Sequence, residues 1–173
     1  MKTARVIITF NCYRNCSYCS NNYTGILSKA IKIKNIEDIN EFDEVCITGG
    51  EPMIKPELTL SVLKQLKYNQ RKFLYSAWVT NKLFDIMPFI DGLHFTLHEK
   101  SDEDDIRQFH KLQTWIWQEE WYKTKSIRLY VNQNIQHSIH ILPFLWSRLE
   151  IKPWICEADC TLPENETLFI LEE

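Results

Sequence analysis

Three cysteines fall within a stretch of eight residues, in the run Cys12-Tyr13-Arg14-Asn15-Cys16-Ser17-Tyr18-Cys19, directly after the β-like segment 4–10. Thiolates spaced C-x3-C-x2-C cannot be spread along a helix or an extended strand and still converge, but a loop can wrap them around one small object. Three soft ligands suit an iron–sulfur cluster or zinc. A count of three leaves one coordination position open for chemistry. A second landmark follows at Gly49-Gly50-Glu51-Pro52, after the apolar run 45–47. The chain has only four glycines, and two stand together here. Such a pair marks a sharp turn or a backbone that lets something come close. Glu51 presents a carboxylate at the mouth of that turn, and Pro52 stiffens it.

Taken together, these two segments resemble the radical S-adenosylmethionine (SAM) superfamily, through its C-x3-C-x-aromatic-C loop, with Tyr18 as the aromatic residue, and its G-G-E-P turn. The resemblance implies that Cys12, Cys16 and Cys19 hold a [4Fe–4S] cluster whose fourth iron is chelated by the amino and carboxylate groups of SAM. It implies that Tyr18 sits near the adenine end of SAM and that Gly49, Gly50 and Glu51 receive the methionine ammonium. It further implies reductive cleavage of SAM to a 5′-deoxyadenosyl radical that abstracts hydrogen from a substrate. An external electron donor such as a flavodoxin or ferredoxin goes with that chemistry. The cofactor carries the reaction, and the protein supplies position and dryness.

The competing reading of the cysteines is a structural zinc site, in a binding module without catalysis. A zinc knuckle offers its fourth ligand nearby or in a second paired motif. Here no histidine precedes His94, and the first 93 residues hold one further cysteine, Cys46. Cys156 and Cys160 form a C-x3-C pair near the end of the chain. Two cysteines do not fill a second cluster, which leaves a redox pair, a substrate contact or two reduced thiols.

The chain of 173 residues fits one domain, 1–173, with length enough to bury a core. Hydrophobic residues make up 45% and the net charge is −3, which gives no electrostatic case for nucleic acid. No apolar run approaches the roughly 20 residues needed to span a bilayer. No export signal is visible, so the expectation is a cytoplasmic protein with reduced thiols.

Short apolar segments alternate with longer amphipathic ones. Strands are expected at 4–10, 43–48, 72–79, 92–98, 126–132 and 151–156, and helices at 56–69, 82–89, 102–121 and 139–149. A short helix is expected near residues 36–40, Ser101 is the expected cap of the third long helix, and the acidic tail after Glu164 reads as a solvated end. Six βα units predict a parallel sheet. Leu93, Phe95 and Leu97 alternate with His94, Thr96 and His98; Ile127, Leu129 and Val131 alternate with Arg128, Tyr130 and Asn132. One apolar face under helices and one polar face suit a curled sheet with a wet interior. The family resemblance implies a six-stranded parallel partial (βα)6 barrel.

In such folds the loops at the C-terminal strand ends converge on one rim. The cysteine run and the glycine turn both occupy such ends. Thr80-Asn81, His98-Glu99 and Asn132-Gln133 should complete the rim, with Thr80, Asn81, His98 and Asn132 as candidate contacts to SAM or substrate. Thr80-Asn81 resembles the T-N-G of some relatives, with Lys82 in place of the glycine. His110, His137 and His140 read as surface or packing residues, and Trp115, Trp117 and Trp121 do not form one helical stripe. The function the resemblance implies is a minimal radical SAM enzyme acting on a small nucleotide-like or peptide-derived molecule. The alternative is an activase that makes a glycyl radical on a partner such as anaerobic ribonucleotide reductase, a role in which Asn11 departs from the usual glycine before the first cysteine. The compact 7-carboxy-7-deazaguanine synthases share only the common motifs.

Overall fold

A computed structural model describes residues 1–22, 24–154 and 162–172. Eight strands run β1 (Thr3–Ile7), β2 (Ile31–Ile33), β3 (Glu44–Thr48), β4 (Arg71–Ser76), β5 (Gly92–Leu97), β6 (Ser126–Asn132), β7 (Arg148–Lys152) and β8 (Glu166–Leu171). They form one open sheet in the order β2-β8-β1-β3-β4-β5-β6-β7, and every pairing is parallel. The helices are α1 (Thr24–Leu27), α2 (Pro56–Gln65), α3 (Asn81–Ile86), α4 (Glu103–Gln118) and α5 (Trp121–Thr124). The architecture is thus mixed α/β on a single all-parallel sheet. Among the described residues no helix is long and apolar enough to cross a membrane.

The six expected strands are present and adjacent in sequence order, and two more extend the sheet past β1. The tail is the larger correction. Instead of a solvated end, residues 166–171 form β8, with Leu168 and Phe169 buried and the Phe169 ring edge-on to Phe42 at 5.3 Å. The run Thr167-Leu168-Phe169-Ile170-Leu171 supplies strand-forming side chains, and β1 without it would present an unpaired backbone edge. The expected helix at 139–149 is absent. Pro143 opens a 3₁₀ turn, Pro143–Leu145, and the chain enters β7 at Arg148, three residues before the strand was expected. A proline inside that segment removes a helical donor and clashes with the preceding turn. The short helix near 36–40 is a 3₁₀ turn, Ile36–Ile39.

The alternation read from the sequence is real. Val6, Ile47, Leu74, Phe95 and Leu129 are buried in the core that includes Val62 and Leu63 of α2, Leu83 of α3, and Phe109, Leu112 and Ile116 of α4. Each of these large side chains contributes about 2 kcal/mol by leaving water. The opposite face carries Arg5, Cys46, Tyr75, His94, Thr96, Arg128 and Tyr130 along the same strands. Helix α4 starts at a capping box in which Asp102 accepts from the Asp105 amide at 2.9 Å and Asp105 accepts from the Asp102 amide at 3.0 Å. Asp102, not Ser101, is therefore the cap, and Asp105 is fixed where it can reach a cation at the rim.

Candidate functional site

The cysteine loop leaves β1 and lies directly on the glycine turn that leaves β3. The Gly50 amide donates to Thr9 O at 2.7 Å, and the Glu51 amide donates to Asn11 O at 2.8 Å. This contact explains the glycine pair. Gly49 has φ +146°, and a Cβ there would stand 2.2 Å from Thr9 O. A Cβ at Gly50 would stand 2.2 Å from Asn11 O. What comes close to the turn is thus the start of the chain's own cysteine loop.

Arg14, inside the loop, ties it to two other elements. Its guanidinium bridges to Asp105 of α4 at 2.6 Å, to Ser101 Oγ at 3.3 Å and to Ala77 O at 3.2 Å. Tyr13 packs on Trp78 with ring centroids 5.1 Å apart. Internally, the Cys19 amide donates to Cys16 O at 3.1 Å, and Asn22 Nδ2 donates to the same oxygen at 3.3 Å. The three thiols are free: Cys12 exposed, Cys16 buried and Cys19 between the two. Burial pushes the Cys12 and Cys16 thiols up, so binding a metal there releases protons.

All three cysteines line one cavity of about 330 Å³, together with Gly49, Gly50 and Glu51. Glu51 is buried, which pushes its carboxyl up to about 7 against the opposing pull of three hydrogen bonds. Oε1 accepts from the Met53 amide at 3.0 Å and from Ser76 Oγ at 2.7 Å, and Oε2 accepts from the Ala77 amide at 2.8 Å. A carboxylate has about four acceptor positions, so one remains on Oε2. Pro52 is buried and opens the 3₁₀ turn Pro52–Ile54, for which Glu51 is the cap.

Within the cavity lining three rings pack into a box. Tyr18 stacks on His98 at 5.8 Å and 19°, and Trp154 lies 5.4 Å from Tyr18 and 5.3 Å from His98. The Glu99 amide donates to the Tyr18 hydroxyl at 3.3 Å, and that hydroxyl lies 3.2 Å from His98 Nδ1. Burial, and then Arg14, lowers His98 to about 4, and burial holds Tyr18 up near 12. The box is uncharged at neutral pH, and its flat faces suit a heteroaromatic ring.

Cys12, Cys16, Cys19, Tyr18, Gly49, Gly50, Glu51 and His98 thus converge on one cavity. Thr80, Asn81 and Asn132 do not line it. Strand β4 ends at Ser76, where Ser76 Oγ accepts from the Trp78 amide at 3.1 Å. The rim position read at Thr80-Asn81 is therefore held by Ser76-Ala77. Thr80 precedes α3 with its hydroxyl buried and unpartnered, and Asn81 is the first residue of that helix. Asn132 Oδ1 accepts from the Asn134 amide at 2.9 Å and so caps a turn. Arg14, Ser76 and Trp154 were not singled out in the sequence. Only Arg14 carried a signal, a cation inside the cysteine run. Cys156 and Cys160 lie outside the described residues.

No protein-family model matches the chain, and a search of curated proteins finds no significant similarity.

A fit to a cluster rests on this donor set. Among the described residues no three His, Cys, Asp or Glu side chains are already arranged around a single ion. A four-iron cluster spreads its ligands over separate irons, so thiols on one cavity wall need not meet at a point.

Proposed function

We propose that the chain is a radical SAM enzyme acting on a small molecule held in this cavity. The observation that carries the reading is the convergence of three free thiols and a buried, incompletely satisfied carboxylate on one cavity. In this reading Cys12, Cys16 and Cys19 ligate a [4Fe–4S] cluster. The free acceptor on Glu51 would take an N–H of the methionine amino group in a charge-assisted hydrogen bond. The Tyr18–His98–Trp154 box takes the adenine, and the Arg14 bridge holds the cysteine loop in place. When bound, the cluster and SAM supply reductive cleavage of the sulfonium to a 5′-deoxyadenosyl radical.

In the same reading β1 and β3 to β7 are the staves of a partial (βα)6 barrel, with the polar face inside and β2 and β8 added beyond β1. The hydroxyl-bearing side chains Thr48, Tyr75, Thr96 and Tyr130 in the lining of the cavity favour a small polar substrate over the loop of a glycyl-radical partner. A flavodoxin or ferredoxin would deliver the electron, as a cytoplasmic location allows. The test is anaerobic reconstitution followed by incubation with SAM and dithionite. The expected protein is brown, holds about four irons per chain and releases 5′-deoxyadenosine. Replacing any one of Cys12, Cys16 or Cys19 by serine abolishes both iron and product. A colourless zinc protein, or a cluster that ignores SAM, overturns the proposal.

A further inference from the structure

The floor of the cavity is made of hydroxyls. Thr48, Tyr75, Thr96 and Tyr130 come one each from the adjacent strands β3, β4, β5 and β6, and all four line the cavity. None has a hydrogen-bond partner among the described residues. Beside them lies His94, in register with Tyr75 on one side and Arg128 on the other. Its ring is 4.2 Å from Tyr75 and 6.1 Å from Tyr130, it is 4% exposed, and both ring nitrogens are buried without a partner. Buried polar atoms are almost always hydrogen-bonded. A floor with this much unused capacity, in a sheet whose other face is tightly packed, is built for a polar occupant.

The charges around it have one sign to spare. Glu166 is paired with Arg5 at 2.5 Å, Glu44 with Arg71 at 3.3 Å, and Glu150 with Arg148. Arg128 has no carboxylate partner among the described residues, and its guanidinium lies 5.9 Å from the Phe73 ring centroid. His94 registers the resulting potential. Burial lowers it to about 3, Arg128, Arg5 and Arg148 all act in the same direction, and no carboxylate opposes them.

We infer that this floor is the substrate subsite and that it takes a small molecule bearing an oxyanion, a carboxylate or a phosphate, which the Thr96 and Tyr130 hydroxyls hold near the Arg128 charge. The inference rests on the radical SAM reading for the word substrate, but not for the binding of the anion.

The two are therefore tested apart. The reconstituted wild-type protein is mixed with ribose 5-phosphate or ribose, and with glutarate or glutaramide, with and without SAM, and binding is read by saturation-transfer NMR. The expected result is binding of an anionic member and not of its neutral partner, undiminished by SAM. Preference for the phosphate or for the dicarboxylate identifies the group. Tyr130→Phe weakens that binding by about tenfold, the loss of one hydrogen bond to a charged group, and Arg128→Gln weakens it by removing the nearby positive charge. Arg128→Lys restores most of it and guards against misfolding as the cause. Equal binding of neutral and anionic members, no binding of either, unchanged affinity in both variants, or competition with SAM each overturns the subsite. Failure of the wild-type protein to bind SAM overturns the parent reading alone.

Discussion

Glu51→Gln isolates the electrostatics of the turn. Burial raises the Glu51 carboxyl from an ordinary 4.5 to about 7, so between those values the folded chain holds a proton that the unfolded chain has lost. Stability from this group is fully present below 4.5, and it drains away as the pH rises through 7. The whole interval is worth about 3 kcal/mol at 1.36 kcal/mol per pH unit, and about 2.5 kcal/mol of it falls between pH 5 and pH 8. His94 and His98 work in the opposite direction. Their lowered values make the fold less stable as the pH falls below 6.5, so the wild-type profile alone does not report Glu51. The difference between wild type and Glu51→Gln does, because the histidines are common to both. Glutamine sets an amide against one of three donors, and that cost does not vary with pH. The assay is urea denaturation of the metal-free protein at pH 5, 6, 7 and 8. The stability of the variant relative to wild type is expected to grow by about 2.5 kcal/mol from pH 5 to pH 8. A difference constant to within about 0.5 kcal/mol refutes the buried carboxyl.

Gly50→Ala drives a Cβ to within 2.2 Å of the Asn11 carbonyl oxygen; backbone cannot yield as a side chain can, so a loss of about 3 kcal/mol in denaturation and poor iron uptake on reconstitution are expected. Arg14→Leu leaves Asp105 without its partner at a nearly buried bridge and should cost about 3 kcal/mol, with Arg14→Leu/Asp105→Leu losing less than the single variant. Phe169→Ala removes a ring that is 5% exposed and is expected to lower stability by about 3 kcal/mol, whereas a solvated tail would register a change within about 0.5 kcal/mol.

The parts of the site that were legible in the sequence are those whose chemistry is local. Cys12, Cys16 and Cys19 must lie on one loop because their spacing permits little else. The strands could be read because a sheet with helices on one face leaves alternation in sequences such as Leu93 to His98. What escaped depends on contacts far apart in the chain. Whether residues 166–171 pair or dangle is decided by the free edge of β1, some 160 residues earlier. The end of β4 is set by the hydroxyl of Ser76, which turns the backbone at Trp78. A run of β-prone residues through Val79 gives no sign of that, and the strand ends at Ser76, four positions before Thr80.

The same distinction explains the glycine pair. From sequence, Gly49 and Gly50 read as a sharp turn or a backbone that lets something come close, and in the structure Thr9 and Asn11 are what comes close. The two interpretations meet in Glu51. Because the turn is clamped to the cysteine loop by its own amides, the carboxylate cannot move independently of the thiols. Its remaining acceptor on Oε2 is held at a fixed place relative to them, within a lip that Arg14 and Asp105 lock from the other side. In the proposed radical SAM reading, a site that holds the amino group of SAM beside a cluster needs that rigidity. The glycines serve it by allowing two loops to touch, rather than by making space between them.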